Sequence, residues 1–230
     1  MMNSRAQLVF PFRVKSAFGA EDFIAAPCNE RALRFVQRWP DWPARAAVLW
    51  GPTGCGKSHL AAIWRKAAGA HVVDARGLAA DALDPWPLDC SYVIEDFDSI
   101  AASGTRDRAL LALFERPSAW LLLTARTPPA EWESAVGDLT SRFSSLIGFA
   151  MWAPDDSLLT GLVAKHFADR QIAAPDAVVR RIVTQLERTP EAIGAFVARA
   201  DEKALAEKRA VTERLVLELL EAEAPRENLA

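Results

Sequence analysis

The chain has 230 residues, 27 Lys and Arg against 30 Asp and Glu, a net charge of −3, and 51% hydrophobic and 25% charged residues. That is the make-up of an ordinary globular protein, long enough for one α/β domain and a small second one. The slight negative balance excludes a protein whose main task is to coat nucleic acid and leaves room only for a local basic patch. No apolar run is long enough to cross a bilayer and the N-terminus lacks a signal-peptide core, so no membrane contact and a cytoplasmic location are expected. Cys28, Cys55 and Cys90 are odd in number and lack metal-ligand spacing, which reads as reduced thiols.

The first sixteen residues read as a tail. Gln7-Leu8-Val9-Phe10-Pro11-Phe12, flanked by Arg5 and Arg13, is apolar, and Pro11 works against an interior helix or central strand. Large apolar residues on a tail either fold back on their own domain or dock extended in a partner's groove. Ala17 to Ile24 leads into a helix with Asn29 as N-cap and Ala32, Leu33, Phe35, Val36 and Trp39 as its apolar face, ended by the segment Pro40 to Pro43. Phe23 and Ile24 either wall a nucleotide base or are plain core.

Ala46 to Trp50 is a buried strand, and the stretch after it, Gly51-Pro52-Thr53-Gly54-Cys55-Gly56-Lys57-Ser58-His59, fits the phosphate-loop pattern G-x-x-x-x-G-K-[ST]. Its glycines let backbone N–H groups converge on a phosphate, and the helix that starts near Lys57 turns its positive dipole end to the same anion. Lys57 reaches the β- and γ-phosphates and the Ser58 hydroxyl sits on Mg²⁺. The bland alternative, a Gly-rich turn with a stray lysine, does not account for the strand before and the helical pattern of Leu60, Ile63 and Trp64 after it.

A second strand covers Gly69 to Asp74, with Gly69 closing the helix before it. His71 is a strand residue near a domain edge. A helix and loop occupy Ala75 to Asp89, broken by Pro85 and Pro87. Ser91 to Asp98 is an apolar strand running into Glu95 and Asp96, the carboxylates that a phosphate-loop NTPase needs to order Mg²⁺ and orient water. A helix over Arg106 to Arg116 precedes the strand Ala119 to Thr124. Thr124 ends it where the phosphates should lie, either sensing them or capping the strand. The turn Ala125 to Pro129 follows, then a helix carrying Trp132, then Leu139 to Phe143 and a last strand, Leu146 to Trp152. From Asp155 the pattern is helical, with apolar stripes through Leu158, Val178, Ile193 and Val211 and prolines at helix starts (Pro175, Pro190). His166, on the first stripe, reads as a core or rim residue. The expected fold is α/β: a P-loop parallel-sheet domain over residues 17–153, a small α-helical lid over 154–223 that can pack over the nucleotide, and a frayed terminus at 224–230.

These pieces stand in the order found in the DnaA/Hda branch of the AAA+ ATPases, which the chain resembles over nearly its whole length: Phe18-x-x-x-Asp22-Phe23 with Asn29 and Ala32, Gly51 to Leu60, Ile94-Glu95-Asp96, Leu122 to Pro129, Ser141-Arg142-Phe143, and Gly194-Ala195. The resemblance implies ADP or ATP with Mg²⁺ as cofactor, the metal on Ser58 and Glu95, and Asp96 and Thr124 beside the reacting phosphate. It makes Arg142 an arginine finger that reaches a neighbouring subunit's ATP. It also likens Gln7, Leu8, Phe10, Pro11 and Phe12 to the motif with which replication proteins bind the β subunit of the DNA polymerase sliding clamp. Together these imply a regulator that docks on the clamp and stimulates ATP hydrolysis by the initiator DnaA, with a homo-oligomer left open. Ending at Ala230, the chain leaves no room for the helix-turn-helix domain with which DnaA reads duplex DNA, so no such domain is expected. Three positions depart from the family: Glu95 where Asp is usual, Arg126 where DnaA has a carboxylate, and Pro190 where the second sensor arginine falls, with Arg188 close enough to stand in. All three favour a site that binds nucleotide more than it turns it over. The rival readings are a self-sufficient ATPase of the helicase-loader type, a nucleotide-gated adaptor with no catalytic part, and a small-molecule P-loop kinase.

Overall fold

The computed structural model describes residues 19–79, Pro87 and residues 90–223. The clamp-type motif of residues 7–12, Phe18, most of the Ala75 to Asp89 connection and the terminus at 224–230 therefore lie outside the described residues.

Among the described residues, α1 (Glu30–Gln37) precedes β1 (Ala46–Trp50). The phosphate loop then opens α2 (Lys57–Ala68), and β2 (His71–Asp74) runs straight into the short α3 (Ala75–Ala79). β3 (Tyr92–Glu95), α4 (Gly104–Phe114), β4 (Leu121–Ala125), α5 (Gly137–Ser145) and β5 (Ile147–Ala150) complete the first half. The five strands form one parallel sheet in the order β2-β3-β4-β1-β5. A parallel sheet must be covered on both faces, which is why its central strands are continuous apolar runs rather than alternating ones. Ala47, Leu49, Val93 and Leu122 face a layer built from α1 and α2, while Val48, Ile94, Leu121 and Leu123 face one built from α3, α4 and α5. Trp39, Trp42, Trp64 and Trp120 pack edge to face or stacked on the first side. His71 lies exposed on the edge strand β2, as its place in the sequence predicts.

The second half is helical: α6 (Asp156–Ala168), α7 (Asp176–Gln185), α8 (Pro190–Ala206) and α9 (Glu213–Glu223). Its stripes converge on a core of its own around Phe167, Ile182, Phe196 and Leu215. Pro175 is the N-cap of α7 and Pro190 occupies the first turn of α8, where a missing N–H costs nothing. No helix among the described residues is long and apolar enough to cross a membrane.

Two local expectations change. Asn29 stands at the start of α1 but does not cap it: its Oδ1 accepts from Ala26 N–H (2.9 Å) and its Nδ2 donates to the Ile24 carbonyl (3.0 Å), so it ties down the preceding turn instead. Trp132 is not on a helix. It ends a single 3₁₀ turn, Pro129–Glu131, with its indole donating to the Thr127 carbonyl (3.1 Å) and its ring against Phe97 and Phe143. Burying that ring and satisfying its N–H in one place holds the chain extended until α5 begins.

Candidate nucleotide site

The phosphate loop leaves β1 at Gly51. A Cβ at Gly51 would stand 2.0 Å from the Met151 carbonyl oxygen, so only glycine lets the loop pass the segment after β5 this closely. Lys57 is 7% exposed, and its ammonium donates to the Gly51 and Pro52 carbonyls, both at 2.8 Å. Lys57 is thus the first residue of α2 and reaches back over the loop, while the N-terminal N–H groups of that twelve-residue helix open onto the same hollow. A charge-bearing donor held on neutral carbonyls is poised to exchange them for phosphate oxygens, which bind it more strongly. Cys55 lies beneath, its sulfur 3.7 Å from the ammonium, and burial pushes its thiol above the usual range. The residue reads as packing for the loop rather than as a nucleophile.

The next residue, Ser58, brings its hydroxyl to Glu95 at the end of β3, donating to Oε2 at 3.4 Å. Burial first, and the neighbouring Asp96 second, raise the Glu95 carboxyl above the ordinary range, with the Ser58 hydroxyl pulling the other way. Among the described residues no three His, Cys, Asp or Glu cluster into a self-contained metal site. A hydroxyl and a carboxylate fit Mg²⁺ well, because that ion takes few protein oxygens and completes its shell with water and phosphate.

Asp96 follows in a left-handed conformation (φ 49°, ψ 45°) that is uncommon for a residue with a side chain. What holds it is Thr124: the buried hydroxyl at the end of β4 accepts the Asp96 N–H at 2.9 Å. Strand β4 lies between β3 and β1, so this bond joins the carboxylate end of one strand to its neighbour next to the loop. The Thr124 hydroxyl keeps its own proton to donate, so capping the strand and facing a phosphate are both open to it.

Of the two residues before α1 expected near the base, Phe23 adjoins the loop and Ile24 does not. The Phe23 ring edge lies 3.3 Å from where a Cβ of Gly56 would stand and meets the His59 ring at 5.2 Å between centroids. His59 also bonds the Gly19 carbonyl (3.0 Å), so its ring supports this segment and is not turned to a phosphate. Ile24 packs with Ala26, Cys28 and Leu158 at the junction with the helical half. Arg188 is committed to Asp156 (2.5 Å) and the Pro154 carbonyl (3.2 Å) at the entry to α6. The residues of that stretch that reach the loop are Thr189 and Glu191.

Arg142 sits in the last turn of α5, half-exposed; its guanidinium lies 6.0 Å from the Phe114 ring centroid and makes no hydrogen bond or ion pair among the described residues. Phe114 ends α4 before β4, and α5 ends before β5, so Arg142 stands at the N-terminal end of the sheet. The phosphate loop is at the other end, a strand length of about 17 Å away. Arg142 cannot serve its own loop.

Three residues that hold the segments after β3 and β4 together were given no role in the sequence reading. Asp98 Oδ2 accepts from Arg126 N–H (2.8 Å), Thr127 N–H (2.8 Å) and the Thr127 hydroxyl (2.9 Å), fixing the turn just after Thr124. Arg106 and Asp107, 3% and 0% exposed, form a buried ion pair at 2.7 Å. Arg106 spends its other donors on the Ile100 and Glu133 carbonyls, and Asp107 accepts from the Ser134 hydroxyl and the Ala135 N–H. A third carboxylate in the run Glu95-Asp96-Phe97-Asp98 was the available signal for the first. The buried pair gives none, because adjacent charges on a helix normally face water.

The sequence matches no protein-family model and no curated protein sequence. Solved structures do match the fold. Domain III of the replication initiation protein DnaA from Thermotoga maritima superimposes with a TM-score of 0.72 at 13% identity, over 90% of this chain and 97% of that one. The chain shares the fold of that domain. DnaA from Aquifex aeolicus bound to AMPPCP gives 0.68 at 14% identity, over 84% of this chain and 68% of that one. The Thermotoga maritima RuvB Holliday junction branch migration motor gives 0.62 at 18% identity, over 77% of this chain and 61% of that one. At these identities the likeness carries the fold alone, the five-stranded parallel sheet followed by a helical half, while the roles of side chains rest on their geometry here.

Proposed function

We propose that this chain is a nucleotide-binding AAA+ protein of DNA replication that acts as an Hda-like regulator: it holds an adenine nucleotide in its own site and lends Arg142 to the ATP site of the initiator DnaA. The observation that supports this most is the division of the sheet's two ends. One end gathers the phosphate loop, Ser58, Glu95, Asp96 and Thr124. The other carries a half-exposed guanidinium with no carboxylate partner among the described residues, out of reach of its own loop. An arginine in that state costs its own chain little to present and is free to pair with an anion on another molecule. The DnaA relative crystallised with AMPPCP agrees with a nucleotide in the same fold.

In this reading the N–H groups of the loop and of α2 bind the phosphates, Lys57 leaves its two carbonyls for phosphate oxygens, and Phe23 lies toward the base. Mg²⁺ held by Ser58 and Glu95 supplies positive charge to the phosphate oxygens when bound. Docking on the sliding clamp through Gln7, Leu8, Phe10, Pro11 and Phe12 brings the protein to DnaA, and Arg142 then stabilises charge on the phosphoryl group DnaA transfers. An arginine finger is worth about 10³–10⁵ in rate. Arg142→Ala should therefore abolish stimulation of DnaA ATP hydrolysis in an assay containing clamp-loaded DNA, while clamp capture is unchanged. Full stimulation by the variant refutes the role.

A second reading, a self-sufficient ATPase, is favoured by one feature: the Asp96 N–H bonded to the Thr124 hydroxyl ties the residue that bears the carboxylate to a hydroxyl on the neighbouring strand at the phosphate-loop end. It predicts steady hydrolysis by the isolated protein that Asp96→Asn removes.

A further inference from the structure

Between residues 30 and 70 the chain carries seven Lys and Arg against two Asp and Glu, in a protein whose net charge is −3. One of the seven is the loop lysine, Lys57, which is buried; the others are exposed. In α1 the buried Ala32, Leu33, Phe35 and Val36 turn to the sheet, and the helical period then places Arg31, Arg34 and Arg38 on one stripe of the outward side. α2 lies beside α1 in the same layer. Arg38 directly precedes Trp39, Lys66 follows closely on Trp64, and those two rings meet edge to face at 5.5 Å. Arg45 stands at the same end, just before β1. The side chains of Arg31, Arg38, Arg45 and Lys66 make no hydrogen bond or ion pair among the described residues, and Arg34 pairs with Glu30. The charge of Arg65 acts on Glu95, and Asp41 is exposed in the turn after α1. Helix stability does not account for the set. A cation in the first turn of α1, where Arg31 sits, works against the helix dipole, and Arg45 belongs to no helix.

We propose that this outward face of α1 and α2 holds the phosphate backbone of duplex DNA without reading its sequence. The interaction is separate from the nucleotide site and does not depend on it. The stripe from Arg31 to Arg38 runs about 10 Å along α1. Lys66 stands on the neighbouring helix, about 8–10 Å across. The cations thus form a two-dimensional array, and a duplex presents a matching one, with a negative charge for about every 1.7 Å of its axis spread over two strands. The array is stiff, because Trp39, Trp42, Trp64 and Trp120 lock the two helices onto the sheet beneath it. Holding cations in place beforehand lowers the entropy lost on binding. The same rings count against a single strand, which is held by bases stacked on open aromatic faces. Here they are spent on one another. An acidic protein would need apolar surface to bury beside the charges, and no large apolar side chain is exposed on α1 or α2. Contacts made by arginine and lysine to phosphates position a duplex and carry no base preference.

The test is fluorescence anisotropy of the full chain with a short labelled DNA duplex of mixed sequence, with one strand of it alone, and with poly-glutamate as competitor. Contact with about three to four phosphates predicts that duplex binding weakens about 40- to 150-fold between about 50 and 200 mM salt, and alike for unrelated sequences. Arg31→Ala with Arg38→Ala should weaken duplex binding about tenfold at low salt and lower the slope of its logarithmic salt dependence by about two. Arg180→Ala with Arg181→Ala, which removes two exposed arginines from α7, should change neither. All four arginines are exposed, so their loss leaves the packing intact. No duplex binding at low salt, equal effects of the α1 pair and the α7 pair, or tighter binding of the single strand overturns the proposal. Displacement of the duplex by poly-glutamate at equal charge also overturns it and assigns the face to an acidic protein.

Discussion

Asp107→Ala tests how the α/β core holds the segment that leads to Arg142. Asp107 is fully buried and accepts three hydrogen bonds, from Arg106 Nε (2.7 Å), the Ser134 hydroxyl (2.8 Å) and the Ala135 N–H (2.6 Å). Ser134 and Ala135 lie two to three residues before α5, the helix that carries Arg142. Removing the carboxylate leaves a buried guanidinium unpaired and a backbone N–H orphaned. Breaking a buried ion pair by deleting one partner costs about 3–5 kcal/mol. For a chain of this size each kcal/mol lowers Tm by about 2–4 °C, so a drop of roughly 6–20 °C is expected. Urea unfolding followed by tryptophan fluorescence reads the core, because Trp39, Trp42, Trp64, Trp120 and Trp132 all lie in it. Replacing the pair together, Arg106→Met with Asp107→Leu, should cost clearly less than the single variant, since it leaves no buried charge. A single variant within about 1 kcal/mol of wild type, or a double variant less stable than the single, refutes the reasoning.

Two further outcomes follow from the geometry. Because burial and Asp96 raise the Glu95 carboxyl, the folded chain binds that proton more tightly than the unfolded chain. Its contribution to stability is complete below the ordinary carboxylate value and is lost as pH rises through the raised folded value, so Glu95→Gln should flatten the fall of stability across that window and remove the pH dependence of Mg²⁺-assisted nucleotide binding there. Thr124→Val keeps the shape of a buried side chain but leaves the Asp96 N–H without its acceptor, at about 1–3 kcal/mol, and amide exchange at Asp96 should rise sharply; unchanged protection counts against the bond.

The strands and the loop were legible because their signals are local. Five apolar runs, each bounded by turn chemistry, and a glycine pattern between a strand and a helix specify a parallel sheet with a phosphate loop at its C-terminal end. Glu95 and Ser58 came together as expected because both sit at that end of adjacent layers. What the sequence did not yield depends on tertiary contacts. Asn29 reads as a cap, yet its amide finds better partners in the turn before it. Trp132 reads as helical, yet its indole is worth more buried against Phe97 and Phe143 than exposed on a helix. Arg106 and Asp107 received no reading beyond a helix boundary at Arg106, yet they are 3% and 0% exposed and paired with each other.

The most direct test of the central claim, a nucleotide held by the chain's own loop, is to denature the purified protein and identify by chromatography what it releases. The account predicts about one adenosine diphosphate per chain from the wild type and none from Lys57→Ala. No nucleotide from either protein, together with no binding when nucleotide is added back, would contradict it.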